Sequence, residues 1–240
     1  MNKNGIVVLS LFDGMSCGQI AMRELGIKID KYYASEIDKH AIKQTQLNFP
    51  DTIQLGSVTE VDARKLGHVD ILIGGSPCTN FSFAGRRNGM NTTTNEEIYT
   101  LERYLQLKKE GFQFDGESFL FWEYMRILGE LRETNPDVFF FLENVEMGDK
   151  WETVLTKAIG IPGVYINSAL VSAQNRRRIY WTNIKTKTEG FFNWTVPDIP
   201  QPQDMGIMLQ DVLEDEVDGK YYLKDETVDK LLANGVKGAE

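Results

Sequence analysis

Two cysteines in 240 residues, Cys17 and Cys78, are too few for a disulfide framework, so a reducing cytoplasm is the expected setting. Only His40 and His68 stand beside them, and the four show no metal-ligand spacing; no metal is assigned. No apolar run approaches the roughly 18 residues of a membrane span, and the amino terminus lacks a signal-peptide pattern. The G-x-G-x-x-G fingerprint is missing, which counts against a dinucleotide. Positive charge is scarce too: the formal net charge is −9, the wrong sign for a nucleic-acid binder. That deficit is local, because residues 195–240 hold 11 acids and 4 lysines while the rest holds 24 acids and 22 bases. Arg86-Arg87, Lys108-Lys109 and Arg176-Arg177-Arg178 remain to build a positive face.

What is present reads as alternating strand and helix. Strands are expected at Gly5–Phe12, Tyr32–Glu36, Thr52–Leu55, Val69–Ile73, Asp137–Val145 and Tyr165–Ser172. Helices are expected at Gln19–Leu25, stopped by Gly26, at Asp38–Leu47, and at Phe119–Leu131, with helical composition over Glu96–Glu110. The fold class is therefore α/β, a doubly wound, mostly parallel sheet. Past Trp194 the composition shifts to Pro197, Pro200 and Pro202 and then to acid, which sets domains at 1–194 and 195–240.

Three strand ends carry chemistry. After the first strand comes the glycine-bearing turn Asp13-Gly-Met-Ser-Cys-Gly18, and Glu36 closes the second strand 23 residues later. Glycines that admit a ligand to the backbone, with an acid placed for ribose hydroxyls, suit a compact adenosine cofactor. Gly74-Gly75 ends the fourth strand, and Ser76-Pro77 delivers Cys78 to the loop tip. There a thiol is either a nucleophile or a small buried side chain. Glu143 ends the strand after Pro136, and three successive arginines follow at 176–178, either a solvated turn or a charged substrate face. The polar stretch 84–118 suits a mobile lid or a surface insertion.

Taken in order, Phe12-Asp-Gly-Met-Ser-Cys-Gly18, Glu36, Gly75-Ser-Pro-Cys78, Glu143-Asn-Val145 and Gln174-Asn-Arg-Arg-Arg178 resemble the motifs of DNA cytosine-5 methyltransferases. Leu120-Phe-Trp-Glu123 and the Phe-Asp-Gly form of the first motif resemble the de novo enzymes of animals and their phage and bacterial relatives. The resemblance implies methyl transfer from S-adenosylmethionine to C5 of cytosine in double-stranded DNA, with the base flipped out of the stack. It implies Cys78 as the nucleophile adding to C6, Glu143 (held protonated) as the donor to N3, and Arg176, supported by Arg178, on O2. It assigns Phe12, Asp13, Gly14, Met15, Ser16, Cys17, Glu36, Ile37, Ser57, Val58, Gly75, Pro77 and Leu120 to the cofactor. To DNA it assigns Ser82, Arg86, Arg87, Asn144 and Arg177, and it makes the 84–118 stretch the loop that closes over the base.

Two features depart from the family pattern. Ser57 stands where an Asp usually accepts from the adenine amine. The family's last two motifs are not found before Glu240, so residues 195–240 read as the start of a target-recognition region. A truncated or split enzyme that needs a second chain is one alternative; a tRNA cytosine-5 methyltransferase of the DNA type is another. The family's restriction-modification role is an expectation of the same kind, and the target sequence is not legible.

Overall fold

Seven strands form one sheet in the order β3-β2-β1-β4-β5-β7-β6. They are β1 (Ile6–Leu11), β2 (Ile29–Ser35), β3 (Ile53–Gln54), β4 (Ile71–Gly75), β5 (Phe139–Val145), β6 (Val164–Asn167) and β7 (Arg177–Thr182). Every neighbouring pair from β3 to β5 is parallel; β7 runs antiparallel to both β5 and β6. The computed structural model describes residues 5–77, 96–114 and 116–235.

Helix α1 (Cys17–Glu24) links β1 to β2, and α2 (Lys39–Asn48) links β2 to β3. Asp38 caps α2 by accepting from His40 N and Ala41 N, both at 2.8 Å. Between β4 and β5 run α3 (Leu101–Lys109) and α4 (Phe121–Thr134), and α5 (Asp149–Ile159) follows β5. Right-handed crossovers place leftward and rightward connections on opposite faces of the sheet, and two separate clusters show it. Leu9, Leu11, Leu72, Phe140 and Leu142 pack with Phe121, Trp122, Tyr124, Ile127 and Leu128 of α4 and Leu155 of α5. On the other face, among the described residues, the buried cluster is Val8, Met22, Tyr32 and Ala34.

Several expectations shift. Strand β4 starts at Ile71 and runs through Gly74 and Gly75 instead of ending before them. The reason is steric: a Cβ at Gly74 would sit 2.9 Å from Leu11 O, so the strand pair β1–β4 closes only on glycine. Helix α3 falls within the helical composition expected over Glu96–Glu110, and the burial of Ile98, Tyr104 and Leu107 in the core means that this part of the 84–118 stretch is not a surface insertion. Helix α5 is unforeseen, as is a hairpin of β8 (Thr186–Glu189) and β9 (Trp194–Pro197). The expected boundary near 195 falls inside β9.

Two compact units emerge: 1–167 with 176–202, and 168–175 with 203–240. The first holds the sheet. The second contains the short helix α6 (Asp225–Gly235), and none of residues 203–233 is buried. No helix among the described residues is long and apolar enough to cross a membrane.

Candidate active site

The strand order reverses between β1 and β4, and in open α/β sheets the carboxyl ends at such a reversal form the ligand crevice. There β1 leaves the sheet through Phe12 (φ 57°), Gly14 (58°) and Ser16 (64°), all left-handed. For Phe12 and Ser16 that conformation is strained, as functional turns often are. Gly18 packs closely next to it: a Cβ there would meet Ile73 Cδ1 at 2.5 Å and Tyr32 Oη at 2.9 Å, so these side-chain ends would have to move.

Two carboxylates organise this turn. Glu36 accepts from Gly14 N at 2.8 Å, Ile37 N at 2.7 Å and Asp38 N at 2.9 Å, tying the β1 turn to the end of β2. A carboxylate has about four acceptor positions, so one remains for a ligand hydroxyl. Asp13 accepts from the Tyr32 hydroxyl at 2.7 Å through Oδ1. Burial, and then the Asp13 charge, push the Tyr32 ionisation far above the ordinary tyrosine range. Asp13 Oδ2 is buried and has no hydrogen-bond partner among the described residues. A buried carboxylate oxygen left open in this way fits a cationic or N–H group of a bound cofactor.

Two cavities meet at Phe12. The smaller, about 230 Å³, is lined by Phe12, Ser35, Glu36, Ile37, Gly56, Ser57, Val58, Pro77, Glu117 and Leu120. The larger, about 630 Å³, includes Asp13, Cys17, Gly75, Glu143 and Arg176 and extends over the thinly covered sheet face past Ile71, Ile73 and Phe141. An apolar trough with a few convergent polar groups is the usual form of a small-molecule site.

Glu143, two residues before the end of β5, lies directly opposite Gly75 of β4 and Tyr180 of β7. Its Oε1 lies 2.8 Å from Arg178 Nε and 3.7 Å from Arg176 Nη2. The shorter contact is an ion pair whose N–H is not aimed at the oxygen as a hydrogen bond. Burial, and secondarily the Glu143 charge, raise the Tyr180 ionisation. The alternation of β7 sends Arg177 the other way. It lies 4.7 Å over the Tyr165 ring and 3.3 Å from Glu146.

The remaining expected residues fall in different places. Met15 and Ile37 are exposed, and Cys17 is an exposed free thiol. Ser16 is fully buried; its Oγ accepts from Gln19 Nε2, which also donates to Thr52 Oγ1. Ser57 accepts from Thr59 N and shares a 2.8 Å contact with the Thr59 hydroxyl, so it works as a local cap. Asn144, expected on DNA, is 1% exposed, and its amide donates to Ser76 O and Ser76 Oγ. That position holds the loop stem before Pro77. Cys78, Ser82, Arg86 and Arg87 lie outside the described residues. Sequence reasoning missed Ser35, Gly56 and Glu117, which reach the smaller cavity without any motif to announce them.

The family model for C-5 cytosine-specific DNA methylases matches residues 6–150. The chain belongs to this family. Among curated relatives, the orphan methyltransferase M.Rho11sI of Bacillus phage rho11s is 29% identical over 94% of this chain and 47% of its own length. M.SPRI of Bacillus phage SPR is also 29% identical, over 94% of this chain and 54% of its own. The chain spans about half the length of the curated relatives it matches. Among solved structures, a DNMT2 mutant from Spodoptera frugiperda superposes with a TM-score of 0.62 at 19% identity, covering 95% of this chain and 65% of the other. That likeness supports the methyltransferase fold, a mostly parallel seven-stranded sheet.

Proposed function

We propose that this chain carries the catalytic half of an S-adenosylmethionine-dependent methyltransferase acting on C5 of cytosine in double-stranded DNA. The observation that carries the reading is the pairing of Gly75 with Glu143. It starts the Ser76-Pro77 stem beside a carboxylate already held between Arg178 and Arg176.

The cofactor reading rests on Phe12, Glu36, Ile37, Ser57, Val58, Pro77 and Leu120 around one cavity, and on Asp13, whose Oδ2 is without a partner among the described residues, in the lining of the larger cavity that shares Phe12. When bound there, S-adenosylmethionine supplies the methyl group. The chain's own residues do the rest. Cys78, next after Pro77, adds through its sulfur to C6 of the flipped base and makes C5 nucleophilic. Glu143 and Arg176 hold the N3 and O2 edge of the base as negative charge builds on the ring, with Arg178 fixing the Glu143 side chain. Loss of the C5 proton to solvent then expels Cys78 and restores the ring. Asn144 serves by holding the stem through Ser76 and not by touching DNA.

The test is transfer of labelled methyl from S-adenosylmethionine to a cytosine-containing duplex. Transfer by the wild type and none by Cys78→Ala supports the reading; an unchanged rate in the variant overturns the mechanism.

One observation favours a second reading, in which residues 195–240 begin a recognition region completed by further polypeptide. Leu213, Tyr221, Tyr222, Leu231 and Leu232 are all more than half exposed, an apolar surface that calls for a cover.

A further inference from the structure

The β8–β9 hairpin is the least protected apolar feature of the sheet-bearing unit. Phe191 is 94% exposed, Phe192 76% and Trp194 68%, and their rings touch each other in sequence. With Glu189, Gly190 and Val196 they line a basin of about 430 Å³. An isolated two-stranded sheet is marginal in water, and a contiguous exposed aromatic cluster marks an interaction surface.

The hairpin also lies away from Glu143, although Ile184, just before β8, lines the far end of the larger cavity. Asn183, at the root of β8, accepts from Phe140 N and donates to Val138 O, so β7 hands the chain over at the amino end of β5. Glu143 lies at the other end of that strand, five residues and roughly 16 Å from Val138.

Which edge of the hairpin is free to pair follows from its ladder. Asp198 N donates to Lys185 O at 2.8 Å. The register then makes Lys185, Lys187 and Glu189 the residues whose backbone groups face β9. Thr186 and Thr188 direct theirs outward, and among the described residues nothing pairs with them, whereas Gly190, past the end of β8, accepts from Asn193 N at 3.2 Å within the turn. The opposite edge carries Pro197, which has no N–H to give. The side-chain pattern of β8 is self-complementary. An antiparallel copy centred on Thr188 bonds Thr188 to Thr188 through the free backbone groups of both copies. The same register sets Lys187 directly opposite the second copy's Glu189, twice, at the closer non-hydrogen-bonded spacing. Within one chain these two already pair along the strand at 2.7 Å, so both lie on the face that carries Trp194 and Val196.

We propose that the β8–β9 hairpin is a dimerisation arm: two copies of this chain pair β8 to β8 about a two-fold axis through Thr188. The result is a four-stranded antiparallel sheet with the aromatic basins of both copies on one face. Such an isologous contact leaves both catalytic edges open.

Sedimentation velocity of the full chain, over about 1 to 100 µM, tests this. A dimer that dissociates on dilution is expected. Lys187→Glu sets Glu against Glu across the axis, and Glu189→Lys sets Lys against Lys. Each single variant, exposed and folded as judged by circular dichroism, is expected to weaken association at least tenfold. An equimolar mixture of the two restores both opposite-charge pairs and the dimer. A wild type that stays monomeric throughout overturns the proposal. So does a single variant that dimerises like the wild type, since the contact then lies elsewhere, and so does a mixture that fails to pair.

Discussion

Gly74 and Gly75 are neighbours that the structure needs for different reasons. A methyl group on Gly74 meets Leu11 O at 2.9 Å and the Tyr124 ring at 3.2 Å, both parts of the packed core. Gly74→Ala is expected to cost about 1–3 kcal/mol of stability, seen as a lower urea midpoint. On Gly75 the methyl meets only the flexible end of Glu143, Oε2 at 2.8 Å. Gly75→Ala is therefore expected to fold with a near-normal midpoint while displacing the carboxylate from Arg178. Methyl transfer should fall about tenfold or more, since small misplacements at a reacting centre are costly. Equal stability losses in the two variants would contradict this division. At this scale the sequence made Glu36, Glu143 and Arg176 legible because each sits at a strand end. The burial of Asn144 was not legible, because it depends on Ser76, 68 residues away.

Helix α4 is fastened by charge as well as by its apolar face. Glu123 is fully buried and bonded by Tyr104 and Lys108 of α3, while Arg126 bridges Glu123 and Glu130. Removing one member strands the others in low dielectric. Glu123→Gln is expected to lower unfolding free energy by about 3–5 kcal/mol in urea denaturation; a change below about 1 kcal/mol would contradict it. The α2 cap gives a pH signature. Backbone N–H bonds from Ala41 and His40 hold the Asp38 carboxyl below its ordinary range. A depressed folded value means stability present at neutral pH and lost as pH falls through that value. The melting temperature should drop less on acidification in Asp38→Asn than in the wild type, and parallel curves would refute the assignment. Some elements were readable but unread. Trp151, Leu155 and Ile159 of α5 carry the helical period, whereas β8, with no apolar residue in Thr186–Glu189, carries no alternation to detect.

At the scale of the whole molecule, the charge balance and the sheet order carry different weight. The net charge of −9 argued against nucleic acid, yet most of the imbalance belongs to residues beyond 194. The sheet order, by contrast, follows from alternation and right-handed crossovers, and it sets the cofactor turn and the Glu143 edge side by side. What the sequence could not show is how thinly one sheet face is covered, because that depends on the long-range packing of Met22, Tyr32 and their neighbours. The central claim is covalent: one thiol must bond to the ring that Glu143 and Arg176 hold. The most direct measurement is mass spectrometry of the chain after incubation with S-adenosylmethionine and a duplex carrying 5-fluorocytosine, whose C5 substituent cannot leave as a proton. The account predicts a stable protein–DNA adduct on the peptide containing Cys78, and none with Cys78→Ala. Binding of cofactor and duplex without any adduct, or an adduct that survives Cys78→Ala, would contradict it.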